Sequence, residues 1–348
     1  MRSAYLLCLA ALVCSVDAGV VNPDISALGQ LFGTGDTRAG EDRRLTLSLG
    51  ETELGLEAAL NPYFSGAFVI AVDAEEGVEV EEAYASMVRG LPLNLSAKAG
   101  KYRLNFGKIN QSHPHSYPFI RTPRVLSPDG AALLPGEESF NDIGIDLSTL
   151  IPVSDNWAIT PSIDFLEGGS FHPGEETQAG AHGWLAHLSC AFAAGNTAFD
   201  AGFSATRGIN NADDETVTAV LGADLKLKMI FSAGYSCVFA AEAIRKTAEI
   251  TDDTGEGVHD DRNGFCTYID NQFLTRYNAG ILYEQYRDPD DRQIIDRAIK
   301  PFIGFSVLEE STVFRASYEY FMSGCAQVSG TVEVQLLFSM GPHKAHRF

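Results

Sequence analysis

Positive charge is scarce in this sequence. Over 348 residues, 25 Lys and Arg stand against 46 Asp and Glu, a net charge of −21. A nucleic-acid binder carries a basic footprint, and a protein held on an anionic leaflet carries a polybasic patch. Neither fits, and no nucleic-acid partner is expected. Long apolar runs are missing as well. After Ala18 no eighteen consecutive residues are apolar, which excludes a membrane protein built from helices. Long amphipathic helices are absent. Cysteine is sparse, and two of the six, Cys8 and Cys14, fall in the first eighteen residues. Cys190, Cys237, Cys266 and Cys325 match no zinc-motif spacing. Cys190 and Cys237 fall at apolar strand positions. Cys266 and Cys325 lie near predicted loops on one side, where a disulfide could form. There is no HExxH, no P-loop and no GxSxG, so no catalytic set is selected and no enzyme activity is expected.

The first eighteen residues read as a secretory signal. Arg2 precedes the apolar run Tyr5–Val16, and Val16-Asp17-Ala18 places small residues at the cleavage positions. Residues 19–348 are then one domain. An exported chain without apolar helices reaches a membrane only as a closed β-barrel.

What the sequence has in abundance is alternation. Val332, Val334, Leu336 and Phe338 alternate with Glu333, Gln335 and Ser339. Phe314, Ala316, Tyr318 and Tyr320 alternate with Arg315, Ser317 and Glu319. Ile143, Ile145 and Leu147 alternate with Asp142, Asp146 and Ser148. Such segments are strands with one apolar and one polar face. Short turns, such as Asn61-Pro62, Ala194-Gly195-Asn196, Lys228–Phe231 and Leu274-Thr275, separate them in turn from long loops. The long loops fall near 35–43, 74–78, 108–140, 167–181, 207–215, 246–262, 287–296 and 322–330. The pattern predicts an all-β fold: a transmembrane up-and-down antiparallel barrel of about sixteen strands, with fourteen as the alternative count. The first strand, 26–34, carries the weakest pattern. A soluble secreted β-protein would also alternate, but so many strands with apolar outer faces exceed one sandwich core. Phe348 supplies the terminal aromatic common in outer-membrane barrels.

The longest loop, 108–140, is expected to fold into the lumen. Pro114, Pro118, Pro123, Pro128 and Pro135 stiffen it, and Tyr117, Phe119 and Phe140 can pin it to the wall. From Lys98 to Arg124, a stretch of 27 residues, the chain carries Lys98, Lys101, Arg103, Lys108, Arg121 and Arg124 and no Asp or Glu. The inward set should change phase at Gly100 through a bulge. Two readings stand side by side. The strip is an anion-selecting ladder, or it is neutralised by wall carboxylates opposite. Inward candidates on other strands include Glu79, Glu81, Asp146, Asp164, Asp200, Asp224, Lys226, Arg315, Glu319 and Glu333.

The acidic excess clusters at Asp73–Glu82, Asp213–Glu215, Asp252–Asp261 and Asp288–Asp296, all expected outside the membrane. There it could share divalent cations with lipopolysaccharide or bind calcium, although DDTGEGVHDD is no EF-hand loop. His113 and His115, or His343 and His346, could ligate zinc. A proline between the first two is expected to turn them apart. Otherwise no cofactor is expected.

Several segments together resemble a known family. They are Asn22-Pro23-Asp24-Ile25-Ser26, Glu53–Ala59 with Asn61-Pro62-Tyr63, Val80-Glu81-Glu82-Ala83-Tyr84, and Lys98–Gly107 (KAGKYRLNFG). His113-Pro114-His115 and the C-terminal Gly341–Phe348 (GPHKAHRF) join them. They are similar to bacterial outer-membrane barrels labelled zinc-regulated TonB-dependent receptors, and the Lys98 strand is similar in style to phosphate-selective porins. The resemblance implies an outer-membrane location, contact with lipid and lipopolysaccharide, and by porin analogy a homotrimer. A TonB-dependent receptor also needs a plug, and about 26 residues between Ala18 and Leu45 do not make one. The expected function is therefore a porin-like channel for small hydrophilic, anionic solutes. A TonB-linked or metal-related receptor and a structural or adhesive barrel are the alternatives.

Overall fold

In a computed structural model, described for residues 23–37, 45–73, 77–137, 139–172, 182–211, 216–251, 257–307, 311–325 and 328–341, alternation has produced strands almost throughout. The signal segment 1–18, His343, His346 and Phe348 lie outside the described residues. So do Glu75, Glu76, Asp213–Glu215, Asp252, Asp253 and Glu256 of the acidic clusters.

The first four strands are β1 (Asp24–Asp36), β2 (Thr46–Leu49 and Thr52–Ala59), β3 (Phe64–Asp73) and β4 (Gly77–Met87). Next come β5 (Leu95–Arg103), β6 (Asn141–Thr149 and Ile151–Pro152), β7 (Trp157–Leu166) and β8 (Gly183–Ala194). The longer strands are β9 (Thr197–Asn211), β10 (Thr216–Ser232), β11 (Tyr235–Thr251) and β12 (Gly257–Phe273). The last four are β13 (Tyr277–Arg287), β14 (Ile295–Ser306), β15 (Thr312–Met322) and β16 (Val328–Met340). Each pairs antiparallel with its sequence neighbours, and β1 pairs with both β2 and β16. The ring has sixteen strands and is closed. The weakly patterned first strand is the one that closes it, matching Ala27 with Met340 through to Asp36 with Thr331.

The wall is inverted relative to a soluble protein. Phe314, Tyr318 and Tyr320 of β15 are exposed, while Ser317 and Glu319 are buried. Ile143, Ile145 and Leu147 face out, and Asp142 and Asp146 face in. At the short-turn end the outer surface carries a girdle of paired rings. Trp157 and Phe192 lie 4.7 Å apart, Phe231 and Tyr235 5.0 Å, and Tyr277 and Phe305 5.0 Å. A second exposed set, Phe165 and Trp184, sits eight residues up β7, about 26 Å of strand at roughly 3.3 Å per residue. Aromatic girdles bounding an apolar band mark a barrel wall that contacts lipid.

Three expectations shift. The turn placed at Lys228–Phe231 is two residues later, because β10 continues to Ser232 opposite Tyr235 and small Ala233-Gly234 makes the bend. Strand β5 stops at Arg103, so the long loop begins at Leu104, four residues earlier than expected. Glu79 and Glu81, counted both as inward strand positions and with the outer acidic cluster, lie in β4 together with Glu82, and Asp260, Asp261 and Asp296 lie in strands β12 and β14.

Candidate functional site

The loop from Leu104 to Phe140 turns into the barrel, and its side chains explain why. Phe106, Phe119, Val125, Leu133 and Phe140 are almost fully buried. They join Leu185, Val220, Ile244, Leu282 and Phe302 of the wall in one apolar core. Phe119 meets Tyr268 and Phe302 edge-on at 5.3 and 5.9 Å. Burying each large apolar side chain contributes roughly 1.5–3 kcal/mol, enough to hold the loop on the β8–β14 wall. Strand alternation alone did not reveal this. Val220 or Leu282 on a polar inner face looks like an exception until the loop is placed against it.

Polar contacts fix the register of the loop. The backbone N–H groups of Lys108 and Ile109 donate to Glu242 Oε2 at 3.1 and 3.2 Å, and that of Val125 donates to Glu284 Oε2 at 3.2 Å. Lys246 and Arg262 donate to the carbonyls of Ala132 and Ala131 at 3.0 and 2.9 Å. Arg315 donates to the His115 carbonyl at 3.0 Å. Glu242 and Glu284 were not picked out from the sequence. Their only signal there was a carboxylate on the inward phase of an otherwise small or apolar strand face.

Five of the six basic residues of the strip form ion pairs with carboxylates. Lys108 Nζ is 3.0 Å from Asp200 Oδ2 and 3.4 Å from Asp224 Oδ1. Lys101 pairs with Glu79 at 2.6 Å, Arg103 with Glu81, Arg121 with Glu333, and Arg124 with Glu319 at 2.6 Å. Lys98 stands opposite Asp146 in the ladder, 4.6 Å from the Tyr102 ring centroid and 5.1 Å from that of Tyr84. Of the two readings of the strip, the neutralised one describes the geometry. Lys300 continues the lattice between Glu319 (2.9 Å) and Glu333 (3.7 Å).

The phase change expected at Gly100 is not made: the β4–β5 and β5–β6 registers run through it unbroken, although its own backbone is irregular. Gly100 has φ +134°, and a Cβ there would collide with the Ala83 carbonyl. Arg103, of opposite parity to Lys98, meets Glu81 of the neighbouring strand. Tyr102 keeps the earlier phase and donates to Asp164 Oδ1 at 2.9 Å. A second irregularity faces it. The β3–β4 register slips between Val69↔Glu82 and Ile70↔Val80, which leaves Glu81 unpaired and buries both Glu81 and Glu82.

Against that bulge sit the two histidines. Pro114 starts a short 3₁₀ turn, Pro114–Ser116, and instead of turning the rings apart it stacks them, with centroids 5.4 Å apart and 25° between planes. His115 Nδ1 is 2.8 Å from Glu53 Oε1, and His113 Nδ1 is 3.6 Å from Glu53 Oε2 and 3.4 Å from Glu81 Oε2. His113 Nε2 is 3.1 Å from Glu82 Oε1. Burial and the Arg103 guanidinium push the His113 pKa down, and the Glu81 and Glu82 carboxylates push it up further, to about 10. Glu53 escaped notice because it sits mid-strand, far from the loop in sequence.

The four cysteines are unbridged. Cys266 lies within β12, buried under the loop opposite Glu242 and Glu284, while Cys325 is exposed, so the possible bridge between them is not made.

Below the loop, toward the short turns, a cavity of about 290 Å³ opens. Lys108, Lys226, Arg276 and Arg315 line it with a single carboxylate, Asp270.

Known protein families give no match to the chain. An uncharacterized protein of Aquifex aeolicus (strain VF5) is 27% identical over 282 residues, 72% of this chain; the match spans 57% of that relative's length. An anion-selective porin from Comamonas acidovorans superposes with a TM-score of 0.63 at 10% identity, covering 92% of this chain and 100% of the porin. Salmonella typhi OmpF, in complex with daunomycin, gives 0.61 at 12% identity, covering 92% and 98%. The trimer form of the outer-membrane protein OmpT of Vibrio cholerae gives 0.57 at 10% identity, covering 92% and 99%. In fold, this chain is a closed sixteen-stranded antiparallel barrel of the kind seen in outer-membrane porins.

Proposed function

We propose that the protein is an outer-membrane channel of porin type that admits small hydrophilic solutes by passive diffusion. One observation carries the reading. A barrel with an apolar, ring-girdled exterior holds one inward loop, fastened by Lys108, Arg121 and Arg124 to wall carboxylates, above a charged cavity. Such an arrangement selects by size and field and needs no bond chemistry. An outer-membrane location, contact with lipid and lipopolysaccharide, and removal of residues 1–18 accord with it. A homotrimer is supported by the trimeric OmpT likeness.

The solutes are anions by this reading. The source of the preference is the cavity below the loop, where Lys226, Arg276 and Arg315 share a lining with one carboxylate, Asp270, rather than the paired strip. A receptor for a metal or metal complex is the second reading, favoured by the convergence of His113 and His115 on Glu53. Purified protein in planar bilayers tests the choice. Ohmic single-channel steps with an anion-side reversal potential are expected under a salt gradient; absence of conductance, or a clear cation preference, overturns the channel reading or its sign.

A further inference from the structure

The strip's basic residues have partners, but the cluster at the β4 bulge has more acceptors than its one guanidinium can satisfy. Glu53, Glu81 and Glu82 bring three carboxylates together, each less than 10% exposed, and Arg103 is the cation paired with them. In the neutral form in which imidazoles bind a metal, they leave these three carboxylates and Arg103 with a net charge of about −2, and Glu51 lies beside Glu53 and Glu81 as a further carboxylate. Its buried atoms without a hydrogen-bond partner among the described residues include His113 Nδ1 and Glu81 Oε2.

We propose that Glu53, Glu81, His113 and His115 bind one divalent transition-metal ion of the Zn²⁺ class, which clamps the inward loop to strands β2 and β4. The spacing suits such an ion. Zinc bonds to nitrogen and carboxylate oxygen of about 2.0–2.2 Å set the edges of a tetrahedron at roughly 3.3–3.6 Å. His113 Nδ1 stands 3.4 Å from Glu81 Oε2 and 3.6 Å from Glu53 Oε2. Ligand atoms of Glu53, His113 and His115 all fall within 4.8 Å of one another.

The surroundings fit the same role. With Nδ1 turned to the ion, His113 keeps its proton on Nε2 and donates it to Glu82 Oε1 at 3.1 Å, the carboxylate support that metal-bound imidazoles normally have. Arg103 holds the other oxygen of Glu81. Arg315 holds the backbone of His115, and Pro114 fixes the spacing of the two rings. One divalent charge cancels the excess of the three carboxylates over Arg103. Two imidazoles and two carboxylates suit zinc and its neighbours rather than calcium, which takes six to eight oxygens. The ion is a structural bolt by this proposal, not a cargo, so it stands whether or not the barrel conducts anions.

The test uses the full-length detergent-solubilised barrel, stripped with EDTA and titrated with Zn²⁺ in a calorimeter. One equivalent should bind, with proton release, and a large excess of Ca²⁺ should not displace it. His113→Gln and Glu81→Gln should each weaken binding at least tenfold, whereas His343→Ala/His346→Ala should leave it unchanged. Heat-modified gel mobility confirms that each variant is folded. X-ray absorption at the zinc edge of the wild-type protein gives an answer that needs no variant: about two imidazoles and two oxygens near 2.0–2.1 Å are expected. Absence of a stoichiometric site, or a site that survives His113→Gln/His115→Gln, overturns the proposal.

Discussion

Arg124 and Glu319 are separated by 195 residues, yet the Nε and Nη2 groups of Arg124 both donate to Glu319 Oε1, at 3.0 and 2.6 Å. The contact ties the inward loop to β15, the strand beside the β8–β14 face that holds its apolar side chains. Arg124→Ala removes this tether and leaves Glu319 to Lys300. Because the guanidinium is about one-quarter exposed, the expected loss is about 1–3 kcal/mol, below that of a fully buried pair. Single-channel conductance should rise and become noisier. A charge swap, Arg124→Glu with Glu319→Arg, should recover part of the wild-type trace. Unchanged conductance in Arg124→Ala would mean that the loop edge does not bound the pore.

Selectivity should follow the cavity and not the strip. Lys101 is already committed to Glu79 and Arg103 to Glu81, so their field is largely local. Lys226 and Arg276 line a space with Arg315 and a single carboxylate, Asp270. Lys226→Glu or Arg276→Glu should lower the anion-to-cation permeability ratio several-fold, and Lys101→Glu should move it less. Reversal potentials under a salt gradient give the order; a larger shift from Lys101→Glu would return selectivity to the strip.

The barrel was legible because period-two alternation is local. All sixteen strands follow from side chains two residues apart, including the β1 strand that closes the ring. The site was legible only in part. That Lys108, Arg121 and Arg124 sit on an inward loop could be read from loop length and proline content. Their partners could not, because Asp200, Glu333 and Glu319 lie on strands 92 to 212 positions away. Glu81 could be read as an inward strand position, but Glu82 beside it could not, because a bulge that turns two adjacent residues inward has no sequence signature. The histidines were expected to diverge because a proline was read as a turn, whereas an extended His113 leading into the Pro114–Ser116 turn lays its ring against that of His115.

The loop's first anchor makes a test of how much its position depends on one backbone geometry. Gly107 has φ +59°, and a Cβ there would strike the Glu242 carboxylate that receives the Lys108 and Ile109 N–H groups. Gly107→Ala should cost about 1–2 kcal/mol for left-handed backbone and a further ~1–3 kcal/mol for each buried donor that loses its acceptor. Gly195→Ala is the control. Its φ is +57° but nothing lies within 4 Å, so it bears the backbone term alone. The temperature at which gel mobility changes should fall markedly for Gly107→Ala and by a few degrees for Gly195→Ala. Equal shifts would show that the Glu242 cradle contributes nothing.

Cys266 reports directly on whether the loop stays seated. It is 1% exposed, packed in the core that Phe119, Val125 and Leu133 share with the wall, whereas Cys325 is exposed. In wild-type protein a water-soluble maleimide should label Cys325 quickly. In a Cys190→Ser/Cys237→Ser/Cys325→Ser background, Cys266 should stay unlabelled until the barrel is denatured. Adding Gly107→Ala should expose it in folded protein, because the loop that covers it then leaves the Glu242 cradle. Rapid labelling of Cys266 without that substitution would show that the loop does not seal this side of the lumen, and would move the solute path from the Arg124 side to the β12 wall.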